Sequence, residues 1–336
     1  MADKAVFSNG NNHSFNTAQE LHINEIVYGN MTSVNIDDYY KINFSGSGQM
    51  QFLLKISDDT RYNMYIYEEG NLTTHIAHMG GDPGNDRSIT RLVENKTYYI
   101  KIYAYDANSI NHNTSGYDYN LQFIPTVATG ISINLSRNIT FGEEPASFTY
   151  AITPVNSYVD IDVYNTGNDI NINGNIVRAV NHGMDTITVT DNISGISKST
   201  NIMSMPTPVA IPQKDNGYCF ASCLQTLDNM WGGTYTQDDP GIRSDGYVLV
   251  NNSIVRWTTG GTTCQAIKNA IDGGNYCLVY ITGGYPHWVI AYYASSASPE
   301  GIKIIDTNHL SNDTLADAMA YHGSETISEN RITYKA

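Results

Sequence analysis

The sequence predicts a multidomain protein in which two all-β sandwiches precede an α+β domain, and three observations carry that prediction. Residues up to about 205 alternate apolar and polar side chains with period two, in short runs rich in tyrosine and separated by Gly, Asn and Asp clusters. That is the pattern of strands in antiparallel sheets. After residue 206 helical spacing appears between strands. The same last part holds all four cysteines, Cys219, Cys223, Cys264 and Cys277, and all three tryptophans, Trp231, Trp257 and Trp288. The resulting partition is 1–125, 126–206 and 207–336, and 336 residues with 41% hydrophobic side chains suffice for two or three cores of ordinary size.

In the first part, strands are expected at Asp38–Phe44, Gln51–Ile56, Met64–Tyr67, Thr97–Tyr103 and Tyr117–Phe123, with turns such as Gly80–Asn85 between them. The opening Ser14–Leu21, the Asp37-Asp38-Tyr39-Tyr40 strand entry, Tyr65-Ile66-Tyr67 and Thr97–Ile102 together resemble the bacterial pre-peptidase C-terminal domain, a β-sandwich appended to extracellular hydrolases. Some members of that family bind calcium, and Asp37, Asp38 and Asp82 are oxygen donors; with no ligand-spacing motif present, they read as solvated loop carboxylates. Residues 126–206 continue with Gly130–Ile133, Ala146–Pro154, Ile172–Val180 and Thr186–Thr190. This segment resembles the bacterial Ig-like module of group 2, with Gly174 and Gly183 at its turn positions, where φ > 0 is the expected reason for glycine. Met205–Pro208 reads as a short extended linker.

Chemistry is concentrated after residue 207. The turn Asn216-Gly217 leads into a helix with Phe220, Cys223, Leu224, Leu227 and Trp231 on one face, so Cys219 stands at the helix N-terminus. Free N–H groups and the helix dipole there favour a thiolate. Cys223, one turn deeper, reads as a buried small hydrophobe. A thiolate nucleophile needs a base and a group to orient it. His287 opens the apolar strand His287–Tyr293 after the turn Gly283–Pro286, and Asp306 lies in Gly301–Asn308, a strand ending in a carboxylate- and amide-bearing turn. Antiparallel pairing of those strands sets Asp306 beside His287. Asn308 is an alternative orienting group, and His309 and His322 read as surface residues.

The set Gln213, Cys219, His287 and Asp306 resembles the papain-like cysteine peptidases, in the compact bacterial branch related to the double-glycine-leader peptidases. Phe220 stands where the family usually has Trp. The resemblance implies that Gln213, six residues before Cys219, joins the Cys219 backbone N–H as the oxyanion hole. It also implies a peptide or protein substrate, an acyl-enzyme and no metal or organic cofactor. The β modules imply an extracellular bacterial setting, secreted or at the cell surface, and a surface or matrix ligand for those modules. A monomer is expected.

The cysteine spacing does not match a structural zinc site, while a disulfide among Cys223, Cys264 and Cys277 stays open. With 18 Lys+Arg against 33 Asp+Glu and no basic cluster, nucleic-acid binding is not expected. The apolar runs are too short for a membrane span, and no leader is expected at Met1–Lys4, although a processed chain would read the same. Gly232–Gly261 carries no readable pattern. Two other functions remain: a surface adhesion protein whose papain-like domain is degenerate, and an acyl-transfer or amidohydrolase variant of the same machinery.

Overall fold

The computed structural model describes residues 4–31, 37–56, 60–80, 85–105, 117–239 and 253–336. Strands dominate, and the three α-helices among the described residues all lie beyond residue 218. None of them is long and apolar enough to cross a membrane. The chain divides into two compact units, Met1–Ser132 with Tyr150–Val163 and Val189–Lys198, and Ile133–Thr149 with Tyr164–Thr188 and Ser199–Ala336.

The first unit is built on two five-stranded sheets. One runs β1 (Lys4–Phe7), β3 (Glu25–Gly29), β10 (Tyr119–Pro125), β5 (Gly48–Ile56), β8 (Arg87–Val93); the other runs β2 (Gln19–Leu21), β4 (Asp37–Asn43), β9 (Thr97–Ala104), β6 (Tyr62–Glu68), β7 (Ala77–Met79). Period-two patterning sends Tyr40 and Ile42, Phe52 and Leu54, Ile100 and Ile102, and Leu121 and Phe123 into one core. Tyrosine can serve in such a core only when its hydroxyl is satisfied. Here the Tyr40 and Tyr119 hydroxyls meet at 2.6 Å, and Tyr119 donates to Asp38. Asp38 is therefore a buried structural acceptor and Asp37 pairs with Lys101 Nζ at 2.9 Å, so neither is the solvated loop group the sequence suggested. Asp82 lies outside the described residues.

The middle strands form two four-stranded sheets, β11 (Gly130–Leu135), β13 (Ala146–Thr153), β16 (Ile176–Ala179), β15 (Ile170–Asn173), and β12 (Ile139–Phe141), β18 (Ser197–Met205), β17 (Gly183–Asp191), β14 (Ile161–Asn165). Gly174 joins β15 to β16 at φ +60°, as its turn requires. Gly183 does not have positive φ; a Cβ there would lie 2.2 Å from the Asp169 carboxylate, so close approach is what demands glycine.

The second unit centres on an antiparallel sheet ordered β19 (Val255–Thr259), β23 (Thr326–Lys335), β20 (Cys277–Thr282), β21 (His287–Ala294), β22 (Ile302–Ile305). Helices α1 (Cys219–Met230) and α2 (Cys264–Asp272) both pack on β21. Burial of β21 is correspondingly almost complete, which explains its unbroken apolar run. Leu224, Leu227, Val289 and Ile290 share the core, and each such side chain contributes about 1.5–3 kcal/mol on burial. Met205 belongs to this core and the Pro206 carbonyl accepts from Tyr276 Oη at 2.7 Å. Met205–Pro208 is thus packed structure rather than an exposed linker.

In the stretch the sequence left unread, the carboxylate of Asp228 on α1 accepts from the backbone of Tyr235 and Ile254 and from Ser253 Oγ, at 2.7–2.8 Å. Residues 240–252 lie outside the described residues. All four cysteines are free thiols, so the disulfide left open by the sequence is not formed.

Candidate active site

Cys219 is the first residue of α1, preceded by Tyr218, which makes no side-chain cap. The N–H groups of the first turn therefore remain directed at whatever anion stands there. Phe220, Cys223 and Leu224 anchor the helix in the core, and Cys223 Sγ reaches the Trp288 carbonyl at 3.4 Å. That contact ties α1 to the start of β21, where His287 stands. Burial alone raises the Cys219 thiol; the His287 hydrogen bond and charge, with the backbone N–H groups of Trp288 and Phe220, outweigh it and bring the thiol below its ordinary value.

His287 is buried and its Nε2 lies 2.8 Å from Asp306 Oδ1. The pairing behind this is antiparallel, with Ile290 opposite Ile305, and one step further it sets Asp306 across from Val289, two residues from His287 on the same strand face. With Nε2 on the carboxylate, Nδ1 is the ring nitrogen left for the Cys219 thiol, which lines the same cleft. Burial pushes the imidazole down, but the bonds to Asp306 and Cys219 prevail and raise it to about 9. A lowered thiol beside a raised imidazole favours the thiolate–imidazolium pair.

Asp306 is enclosed by donors. Oδ1 accepts from His287 Nε2 and from the backbone N–H of Asn308 at 3.0 Å and of His309 at 3.1 Å, while Oδ2 accepts from Asn312 Nδ2 at 2.7 Å and from His322 Nε2 at 3.0 Å. Burial would raise this carboxyl, but the bonds from His287, Asn312 and His322 hold it far below the usual carboxylate range. Of the two orienting groups considered from sequence, Asp306 holds the ring; the exposed Asn308 contributes its backbone N–H to the carboxylate.

Gln213 lines the same cleft as Cys219 and His287. Its backbone N–H donates to the Thr307 carbonyl at 2.9 Å, and its Nε2 donates to the Asp215 carbonyl at 2.7 Å. One of the two amide protons is thereby engaged within the loop and the other is left over.

The sequence reading placed His322 on the surface, and the structure overturns this. His322 is 4% exposed, stacks on His287 with ring centroids 4.1 Å apart and planes at 20°, and binds the second oxygen of Asp306. It closes α3 (Leu315–His322), a helix with a Thr314/Asp317 capping box and Gly323 in the left-handed conformation at its end. No motif marks it, since a histidine before a glycine is an ordinary helix ending. His309 is partly buried, bonded to Asn312 and set against the Tyr321 ring.

Donor atoms of His287, Asp306 and His322 lie within 4.8 Å of one another, the spacing of a metal-ligand set. Both Nε2 atoms are already spent on separate oxygens of one carboxylate. The three groups satisfy one another as a hydrogen-bonded network.

A second unforeseen feature lies beneath the pair. The buried Arg331 guanidinium sits 4.7 Å from the Phe220 ring centroid, 4.7 Å from that of Trp288 and 5.0 Å from that of Trp257. Phe220 follows Cys219 and Trp288 follows His287, so one cation braces the residues next to both.

No protein-family model matches the chain. Among curated proteins it is similar to Collagenase ColA of Clostridium perfringens (strain 13 / Type A), 24% identical over 121 residues, which are 36% of this chain and 10% of the collagenase. The chain thus spans a tenth of that relative. Among solved structures it is similar to the pre-peptidase C-terminal domain of a collagenase from Bacillus anthracis, with 17% identity, 32% of this chain and 94% of that domain covered, and a TM-score of 0.28. It is also similar to the M60 catalytic domain with the CBM51-1 and CBM51-2 domains of Clostridium perfringens ZmpB, with 10% identity, 89% of this chain and 33% of that one covered, and a TM-score of 0.17.

Proposed function

We propose that this chain is a bacterial cysteine endopeptidase of papain-like type, with residues 207–336 as its catalytic part. The observation that carries the reading is the geometry around His287: one nitrogen held by Asp306 at 2.8 Å, the other left for a thiol at a helix N-terminus, in a cleft. The Cys219 thiolate attacks a peptide carbonyl carbon, forming the C–S bond while the oxygen becomes an oxyanion facing the Cys219 N–H and the free Gln213 amide proton. Collapse breaks the C–N bond, and His287 passes its Nδ1 proton to the leaving amine. Water then gives a proton back to His287 and attacks the thioester, which releases the acid and restores the pair. An amine in place of water would make the same acyl-enzyme a transferase.

We infer further that the first sandwich is a pre-peptidase C-terminal-like module and the middle strands an Ig-like module, in an extracellular protein, secreted or held at the cell surface. The likeness to a collagenase supports the first of these and the setting.

Labelling tests the reading. An epoxide-type inhibitor of cysteine peptidases, applied at mildly acidic pH under reducing conditions, is expected to give one adduct on Cys219 by intact mass, absent in His287→Ala. A folded native chain with no adduct would refute the activated pair and favour adhesion through the β modules.

The described lining of the cleft predicts its preference. Beside the catalytic groups it carries Tyr280, Tyr285, Trp288, Tyr321 and two asparagines, with no Lys, Arg, Asp or Glu. Peptides with uncharged, apolar or aromatic residues at the cleaved bond are expected to be cut at least about tenfold faster than those with a charged residue there, because nothing in the lining repays desolvation of a charge. Mass-spectrometric mapping of cleavage sites in a peptide mixture measures this.

A further inference from the structure

The most unexpected group near the reacting atoms is His322, and the argument about it rests on the cysteine-peptidase reading above. Three observations single it out. Its ring is nine-tenths buried or more and lies against the base rather than in solvent. Its Nε2 occupies Asp306 Oδ2 at 3.0 Å while His287 occupies Oδ1, so the two imidazoles grip opposite oxygens of one carboxylate. Its backbone carbonyl accepts the Tyr285 N–H at 2.8 Å, and a Cβ on Gly284 would come within 2.4 Å of that same oxygen. The turn that delivers His287 is thus seated on the end of α3.

We propose that His322 is a positioning residue of the catalytic site: its Nε2–H fixes the rotation of the Asp306 carboxylate and shares its charge, while its ring holds the plane of His287. A carboxylate free to rotate about its Cβ–Cγ bond would offer His287 a moving acceptor; donors on both oxygens leave it one setting. Sharing the charge also sets how strongly Asp306 retains a proton on His287. Burial first, and then the charge of His287, push His322 below its ordinary value, so it is the neutral partner of the two. The titratable groups facing this cluster are Cys219 and Cys223 on α1, Tyr280 on β20, Tyr285 on the turn before β21, Asp306 and His309 beyond β22, and Tyr321 beside His322 on α3.

The test compares His322→Gln with His322→Met, side chains of similar length of which only the glutamine can donate to Asp306. The readout is epoxide inactivation of Cys219 as a function of pH, with tryptophan fluorescence and near-ultraviolet circular dichroism as checks on folding. The methionine variant is expected to react about tenfold more slowly, with the alkaline limb of its profile moved about one pH unit upward, the scale of one hydrogen bond to a charged group. The glutamine variant is expected to keep the native limb and to recover most of the rate. Equal behaviour of the two variants, or no change in either, would overturn the proposal. An unreactive native Cys219 would instead defeat the underlying peptidase reading.

A measurement on the native chain covers the case in which a variant does not fold. A nitrogen-15 histidine spectrum near neutral pH is expected to show His287 doubly protonated and His322 neutral with its proton on Nε2. A His322 that is charged, or protonated on Nδ1 alone, would overturn the proposal without any substitution.

Discussion

Asp306→Asn is expected to lower the stability of the second unit by about 3–5 kcal/mol, the cost of breaking a buried ion pair from one side, and to remove the mild-acid reactivity of Cys219. Five donors converge on the two oxygens of this carboxylate. An amide offers one oxygen, and its NH2 group must face donors that have no lone pair to give. The unfolding equilibrium can be followed without interference from the first unit, because Trp231, Trp257 and Trp288 all belong to the second. The pH dependence has a definite sign. His287 is raised from 6.5 to about 9 in the native chain, so the stability it gains from Asp306 is full below 6.5 and lost as pH rises through about 9. The native carboxyl is lowered from 3.8, so its own contribution is present above that value and lost on acidification. The deficit of the variant is therefore expected to be greatest from about 4 to 6.5 and to shrink in alkali. Denaturant titrations monitored by tryptophan fluorescence, at several pH values, would show it; a deficit independent of pH would break the link between Asp306 and His287.

Arg331→Ala is expected to cost about 2–4 kcal/mol, combining the loss of a desolvated cation–π contact with the cavity left behind. Its guanidinium packs against three aromatic rings and its Nε donates to Glu329 at 2.6 Å. Because two of those rings belong to the neighbours of Cys219 and His287, the variant is expected to label more slowly as well as to melt earlier. Arg331→Lys is expected to restore little, since an ammonium point charge cannot stack as a planar guanidinium does. Near-ultraviolet circular dichroism would register the altered surroundings of Trp257 and Trp288. Native labelling with a native melt in Arg331→Ala would show that the cation braces neither residue.

Much of the site could be read along the chain because its chemistry depends on local features. A turn before a helix, a Gly/Pro turn before an apolar strand and a carboxylate at a strand end are all visible in sequence, and they led to Cys219, His287 and Asp306, which the structure brings together. His322 and Arg331 escaped because their importance comes entirely from what folding sets beside them. The same cause hid β23, whose Ser-Glu-Asn-Arg core looks like a loop. Asn330 and Thr333 can be buried because partners exist far away in sequence: Asn330 Nδ2 donates to the Gly261 carbonyl at 3.1 Å, and Thr333 Oγ1 to that of Tyr276 at 2.9 Å. Of the strands in the first unit, those with long tyrosine alternation were legible, whereas the three-residue β2 and β7 are too short to show a period.

The position of β23 also orders events in time. It lies between β19 and β20, yet it leaves the ribosome after every residue of the site has been made. A nascent chain that already displays Cys219, His287 and Asp306 still has a sheet split open at its centre and no cation under its aromatic residues. The strands of the two N-terminal five-stranded sheets are all made by residue 125, and the rest of their unit, Tyr158 of its core included, by residue 198, so that unit precedes the second in the order of synthesis. Translation thus withholds the closed sheet until every residue of the candidate site has been made.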